Sequence, residues 1–130
     1  MILDSNAFIS TRIENPFFKI VYPEEGDVLA LIDTGYEGFL AVPPDIYRLL
    51  KLDELQQHSL RIILPNGETL ESKGVYATVR ITDTNASIDG LIETFDDLKE
   101  VIAGQELISN FKLVLDYCRK TVEVRKCNII

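Results

Sequence analysis

Apolar stretches alternate with turn-forming residues along most of the chain, and most of these stretches are rich in Val, Ile, Leu, Thr and Tyr, as β-strands are. Val28–Ile32 is apolar at every position, which is typical of a central strand that is buried on both faces. Residues 75–81 alternate apolar and polar side chains, which predicts a strand buried on one face. Phe17–Tyr22, Gly38–Val42 and, more weakly, Ile88–Thr94 are also predicted as strands.

Two hairpins are predicted where turn residues separate strand-like segments. Leu60–Leu64 and Glu68–Ser72 flank Pro65-Asn66-Gly67, and Asn-Gly is a strong signal for a tight turn between paired strands. Further along the chain, Lys112–Asp116 and Thr121–Arg125 flank a second polar turn. Both pairs are expected to be antiparallel, because a short turn joins antiparallel strands.

Two short helices are predicted between the strands. Pro43-Pro44-Asp45 favours a helix start, because proline suits the first helical turn and an acidic residue complements the helix dipole there. Ile46, Leu49 and Leu50 then form one apolar stripe at the helical period. A second short helix is predicted over residues 105–111. The expected fold class is therefore mostly β with two short helices.

The composition narrows the class of protein further. A chain of 130 residues suits one domain, and with no internal linker we predict a single domain over residues 1–130. The 13 basic and 21 acidic residues give a net charge of −8, which disfavours nucleic acid as a partner. No apolar run approaches the roughly 18 residues of a membrane span, and the first residues lack the features of a signal peptide. A soluble, cytoplasmic protein without a membrane partner is expected.

Few residues are available for metal or nucleophilic chemistry. His58 is the single histidine, and Cys118 and Cys127 are the two cysteines, so a four-ligand zinc site cannot be assembled from these residue types. Neither a nucleophile elbow nor a phosphate-binding glycine-rich loop occurs in the sequence. In an intracellular protein both thiols are expected to be free. We expect no metal and no cofactor, which leaves carboxylates as the candidate catalytic groups.

The most informative motif is Asp33-Thr34-Gly35, which directly follows the apolar strand. Carboxylates avoid such positions unless they are paired or hydrogen-bonded. At average residue usage the tripeptide is expected only about 0.03 times in a chain of this length. Asp33 is therefore either a catalytic carboxylate or a structural residue that caps backbone amides in a polar turn.

Around this motif the sequence resembles the retropepsin-like aspartic proteases, especially their small prokaryotic members. Leu31-Ile32 precedes the motif, as two apolar residues do in that family. Residues 62–70 match its flap hairpin, and Ile102-Ala103-Gly104 followed by the helix at 105–111 matches its second glycine element. The resemblance extends from about residue 17 to about residue 125.

The resemblance implies a closed β-barrel and an aspartic endopeptidase that hydrolyses polypeptide substrates. Such proteases need two carboxylates that share one proton and activate a water molecule. Because this chain has one Asp-Thr-Gly motif, the second Asp33 would come from another copy of the chain in a twofold homodimer.

The resemblance also assigns roles to other residues. The Thr34 hydroxyl would form a hydrogen bond across the dimer axis, and Gly35 would let the substrate backbone approach. Asn66 and Gly67 would form the tip of the flap over the substrate. Ile102, Ala103 and Gly104 would pack beneath the catalytic loop.

Several positions differ from the retroviral pattern. Tyr36 replaces a small residue and is expected to line or partly fill the substrate groove. Glu37 and Gln105 replace an Asp–Arg ion pair, and a hydrogen bond between them can take its place. Together with Asn66-Gly67, we expect Tyr36, Glu37, Ile102 and Gly104 to bind substrate.

Other candidate segments have simpler interpretations. Asp83-Thr84-Asn85 is expected to be a turn capped by Asp83 and Asn85. The acidic run Glu93–Asp97 is expected to be a solvated loop or helix start, not a metal site. Phe39 and Tyr47 are expected in the core. Lys126–Ile130 is apolar enough to join an intersubunit sheet.

Two other functions remain open. The first is a dimeric binding or scaffold module of the same fold that lacks proteolytic activity. The second is a monomeric β-barrel interaction domain in which Asp33 is only structural. Peptide cleavage separates the protease from the scaffold, and solution mass identifies the monomer.

Overall fold

The protein is mostly β with two short α-helices, as predicted, in a computed structural model that describes residues 1–63 and 66–127. The strands of the described chain are β1 (Ile2–Leu3), β2 (Asn6–Asn15), β3 (Ile20–Tyr22), β4 (Val28–Ile32), β5 (Leu40–Ala41), β6 (His58–Ile63), β7 (Thr69–Ile81), β8 (Ala86–Thr94), β9 (Val101–Ala103), β10 (Phe111–Asp116) and β11 (Thr121–Lys126). The helices are α1 (Pro44–Leu49), a short 3-10 helix (Leu52–Glu54) and α2 (Gln105–Ile108).

Six strands pair around a closed ring in the order β2, β4, β9, β5, β8 and β7, because β7 also pairs with β2. β1 and β3 pair with β2, and β6 extends the sheet from β7. β10 and β11 form a separate two-stranded sheet. The ring is mixed: β4–β9 and β5–β8 are parallel, and the other neighbours are antiparallel.

The hydrophobic core lies inside this ring and under the two helices. Its fully buried side chains come from several elements and from the residue after α1, and examples are Ile9, Ile13, Leu40, Leu50, Ile81, Ile92 and Leu107. Phe39 and Tyr47 are also buried in this cluster, which confirms their predicted place in the core.

β4 has the bounds that the apolar run predicts, and it lies in the middle of the sheet between β2 and β9. The predicted burial on both faces is only partly right. Ala30 is fully buried, but the other four residues of β4 are half-buried, although Val28 and Ile32 pack against the core.

β2 was not predicted, although it is a ten-residue strand with strictly alternating burial. Two of its inward positions are polar, which obscures the pattern. The Thr11 hydroxyl donates to the Val28 carbonyl at 2.9 Å, and Asn15 Nδ2 donates to the Leu50 carbonyl at 2.8 Å. Asn15 Oδ1 accepts from the Phe17 amide at 3.0 Å and caps a turn, so the predicted strand at 17–22 is shortened to β3.

Both hairpins form. β6 and β7 are antiparallel, with Ile63 opposite Thr69, and β7 continues without a break to Ile81, so that two predicted strands are one. β10 and β11 form the other hairpin.

Of the predicted segments, Leu64, Pro65 and residues 128–130 lie outside the described chain. Asp83-Thr84-Asn85 is the turn between β7 and β8, as expected, but the capping side chain in the described residues is Thr84, whose Oγ1 accepts from the Ala86 amide at 3.2 Å, and not Asp83 or Asn85.

Two smaller expectations concern the surface. Cys118 and Cys127 are exposed, unpaired thiols within the described residues, as expected. None of the helices in the described residues has the length and the apolar character that crossing a membrane requires.

Candidate active site

Asp33 emerges at the carboxyl end of β4, where the neighbouring strand β9 holds its backbone. β4 pairs with β9 in parallel, with Ile32 opposite Ala103, and the Asp33 amide continues this pairing by donating to the Ala103 carbonyl at 3.0 Å. Ile102 on β9 is half-buried and lies opposite Leu31. The sheet therefore fixes where the polypeptide leaves the strand.

Residues 33–38, here called the Asp33 loop, begin with a tight turn that Asp33 itself caps. The Gly35 amide donates to Asp33 Oδ1 at 2.9 Å, and the Tyr36 amide donates to the Asp33 carbonyl at 3.2 Å. Asp33 is half-buried, whereas Thr34 and Gly35 are exposed. Asp33 Oδ2 has no hydrogen bond to the described part of the chain, so one carboxylate oxygen remains free for chemistry.

The beginning of α2 supports the loop from below. The amides of Gln105 and Glu106 donate to the loop carbonyls of Tyr36 and Gly38 at 2.8 and 3.1 Å. The Gly104 amide donates at 3.0 Å to the carbonyl of Phe39, the residue after the loop. Gly104 is buried, and a Cβ atom there would lie 2.8 Å from the Tyr36 carbonyl oxygen and closer still to that of Gly38. Only glycine permits this approach of two backbones.

The Gln105 side chain contacts the loop in a way that differs from the expectation. Its Nε2 donates to the Thr34 carbonyl at 2.5 Å, and no hydrogen bond to Glu37 is formed in the described structure. The first turn of α2 places Gln105 against the loop backbone, while Glu37 is exposed. The prediction of a hydrogen bond between Glu37 and Gln105 is therefore wrong. Gln105 instead holds the backbone of Thr34, the residue after Asp33.

Tyr36 is turned toward the interior. Its ring lies against Gly38 and Gly104, and its hydroxyl donates to Glu93 Oε1 at 2.6 Å. Burial, and then the hydrogen bond to the Glu93 carboxylate, raise the pKa of the Tyr36 phenol well above its usual range. The phenol is thus a neutral hydrogen-bond donor at any working pH.

Glu93 is the residue near the site that the sequence interpretation missed. It lies in β8 and is 4% exposed, whereas Asp96 and Asp97 of the same acidic run are exposed as expected. Its Oε2 accepts a hydrogen bond from the Ser72 hydroxyl at 2.9 Å. A signal was available, because the predicted strand Ile88–Thr94 already included Glu93. No group of three metal-ligating side chains is found among the residues that the structure describes.

Asn66 and Gly67 lie at the exposed end of the β6–β7 hairpin. Asn66 Oδ1 accepts from the Glu68 amide at 3.0 Å, and Gly67 has a φ of +86°, a backbone conformation that favours glycine. Ser72 lies nearer the base of the same hairpin, so its contact with Glu93 connects the hairpin to the interior.

Comparison with known proteins gives relatives at two levels. An uncharacterized protein of Archaeoglobus fulgidus is 43% identical over 127 residues, which cover 98% of this chain and 99% of that protein. No family profile matches the chain.

Solved structures with the same fold are more distant in sequence. A retropepsin-like aspartic protease from Rickettsia conorii has a TM-score of 0.58 at 17% identity, over 87% of this chain and 86% of that one. The retroviral protease-like domain of Ddi1 from Leishmania major has a TM-score of 0.55 at 11% identity, over 95% and 94% of the two chains. The chain therefore belongs to one family with the Archaeoglobus fulgidus protein, and its fold is that of the retropepsin-like aspartic proteases.

Proposed function

We propose that the protein is a homodimeric aspartic endopeptidase in which Asp33 of each chain contributes to one shared site. The observation that carries this proposal is the Asp33 loop: a capped carboxylate at the end of a central strand, with one oxygen free and its backbone held by β9 and α2. The retropepsin-like fold supports a protease over other hydrolases.

The chemistry needs both Asp33 carboxylates. Two such groups in hydrogen-bond contact cannot both ionise, so the pair holds one proton. The ionised Asp33 takes a proton from water, whose oxygen attacks the peptide carbonyl carbon, while the protonated Asp33 donates to the carbonyl oxygen. When the tetrahedral intermediate collapses, the C–N bond breaks, the Asp33 that took the proton from water gives it to the leaving nitrogen, and the other Asp33 recovers its proton from the hydroxyl that becomes the new carboxyl group's carbonyl.

Exposure supports association through this loop. Thr34 and Gly35 are exposed, although the loop around them is firmly held, and the apolar residues of β4 beside them are half-buried. Val114 and Leu115 on β10 are exposed apolar side chains as well. In the dimer, the Thr34 hydroxyl bonds across the axis and the partner chain covers apolar surface.

The substrate would lie between the Asp33 loop and the β6–β7 hairpin. Asn66 and Gly67 close over it, and Gly35, Glu37 and Ile102 border it. We assign Tyr36 and Gly104 to support of the loop, because Gly104 is buried and the Tyr36 hydroxyl is engaged by Glu93.

The test is cleavage of a peptide library by the purified protein from acidic to alkaline pH. We expect endoproteolysis with a bell-shaped pH profile centred on the acid side of neutrality, lost in Asp33→Asn. The matched control is Asp83→Asn, which changes an exposed aspartate at the start of another turn. Cleavage that persists in Asp33→Asn, or that keeps rising above about pH 9 where both aspartates are ionised, would exclude the mechanism. A stable dimer without cleavage would favour the scaffold alternative.

A further inference from the structure

A buried carboxylate connects the Asp33 loop to the base of the β6–β7 hairpin. Glu93 is 4% exposed, and each of its oxygens accepts one hydrogen bond, from Tyr36 at 2.6 Å and from Ser72 at 2.9 Å. We call this set of hydrogen bonds the Glu93 bridge. It joins three elements that are distant in sequence, since Tyr36 and Glu93 are 57 positions apart.

Hydrophobic packing does not explain why Glu93 is buried, because the removal of a carboxylate from water is unfavourable. Placing a carboxylate in the interior is unfavourable unless hydrogen bonds or an opposite charge compensate for the lost hydration. Within the described chain, Glu93 forms no salt bridge, so the hydroxyls of Tyr36 and Ser72 supply the compensation. An apolar residue would fill the position with no such requirement. The carboxylate at this position therefore indicates a need for the two hydrogen bonds.

Both ends of the bridge are held tightly. Tyr36 is fixed by backbone bonds to Asp33 and Gln105, and its ring fills the space that Gly38 and Gly104 leave. Ser72 is 1% exposed and lies in β7, which forms the returning arm of the hairpin. Because neither end can move freely, a displacement of the hairpin base is transmitted to the residue that follows Gly35.

We propose that Glu93 is a positioning residue that sets the Asp33 loop relative to the β6–β7 hairpin. This inference rests on the proposed function, since it assigns the bridge to the alignment of the catalytic carboxylates with the hairpin that closes over the substrate. Catalysis is sensitive to such alignment, because a misplacement of about 1 Å can reduce turnover about 100-fold.

The test compares Tyr36→Phe and Ser72→Ala, each of which removes one hydroxyl of the bridge. The matched control is Tyr47→Phe, which removes a buried hydroxyl that donates to Gln57 Oε1 outside the bridge. We expect each bridge variant to lower kcat about 10-fold with KM changed less than about twofold, while the control keeps its kcat. The double variant Tyr36→Phe/Ser72→Ala should have about the same kcat as either single variant, because each substitution alone already interrupts the connection through Glu93.

A second measurement does not depend on activity. Ser72→Ala should speed hydrogen exchange of the Gly35 and Tyr36 amides, although the Ser72 hydroxyl is bonded to Glu93 and to neither of these residues, and Tyr47→Phe should leave the two exchange rates unchanged. If both bridge variants keep kcat and these exchange rates while the wild type cleaves peptides, the bridge proposal is wrong and the proposed function stands. If the wild type cleaves nothing but Ser72→Ala still speeds exchange in the loop, the proposed function fails and the connection stands.

Discussion

Replacement of Gly104 by alanine tests whether the Asp33 loop rests on the start of α2. The backbone of Gly104 has φ −97°, which any residue adopts, so the penalty is purely steric. A Cβ atom would lie 2.5 Å from Tyr36 Cδ2 and 2.8 Å from the Tyr36 carbonyl oxygen, and real Cβ atoms essentially never come within 3.0 Å of such neighbours. The loop or the helix must move.

The magnitude follows from what such a movement breaks. Separation of the two backbones disrupts the bonds from Gln105 to Tyr36 and from Glu106 to Gly38, worth about 1 kcal/mol each. Overpacking of a buried position adds about 1 to 3 kcal/mol. We therefore expect Gly104→Ala to lower the free energy of unfolding by about 4 kcal/mol.

The assay is urea unfolding at one fixed protein concentration, because association would make the stability depend on concentration. Gly74→Ala is the matched control: its Cβ would lie 2.9 Å from Leu91 Cγ, an atom of a half-buried side chain that can rotate away. Here we expect a change within about 1 kcal/mol. Equal unfolding free energies for the two variants would refute the described contact between the loop and α2.

Three further predictions concern the site and its surroundings. Gly67→Val should leave the protein folded but reduce its turnover of peptides. The control Gly26→Val, at a φ of +75° in an exposed turn elsewhere, should carry similar backbone strain and keep its turnover. Equal peptide cleavage by the two variants would show that the hairpin does not close over the substrate. Wild type and Asp33→Asn can be mixed under conditions in which subunits exchange. Activity, measured by initial rates, should then fall with the square of the wild-type fraction, because mixed dimers lack the proton-sharing pair. A linear fall would mean that each chain acts alone. Burial raises the pKa of Tyr47 from 10.0 to about 12, so the stabilisation tied to its protonated form is complete below pH 10 and is lost as the pH rises toward 12. Urea unfolding at pH 9 and at pH 11 should show a loss of unfolding free energy in the wild type and a smaller loss in Tyr47→Phe. Identical losses in the two proteins would contradict this prediction.

Features that depend on neighbouring residues were predictable from the sequence. The apolar run of β4 and the proline start of α1 gave the observed elements, and the Asn66-Gly67 turn lies in the hairpin expected for it. The place of Asp33 at the end of a central strand also follows from the local pattern. Each of these signals is contained within a few consecutive residues, so no knowledge of the folded neighbours was required.

Features that depend on distant partners were not predictable. Thr11 and Asn15 are buried in β2 because Val28 and Leu50 accept their hydrogen bonds, and nothing near them in sequence indicates those partners. Glu93 was assigned to solvent for the same reason, since its two donors come from the Asp33 loop and from β7. Polar residues at inward positions are interpretable only when the groups that satisfy them are known.

The parallel pairing of β4 with β9 has a consequence for how the chain acquires its structure during synthesis. Asp33 is made before Ala103, whose carbonyl accepts its amide, and at elongation rates of about 5 to 20 residues per second the intervening segment takes about 4 to 14 seconds to translate. During this time β4 has no β9 beside it, and its apolar edge is open to wrong partners. Pairings between distant segments also make folding slow once the segments are present. A chain interrupted before Val101 thus cannot form the Asp33 loop as described, and the site arises only after β9 has been synthesised.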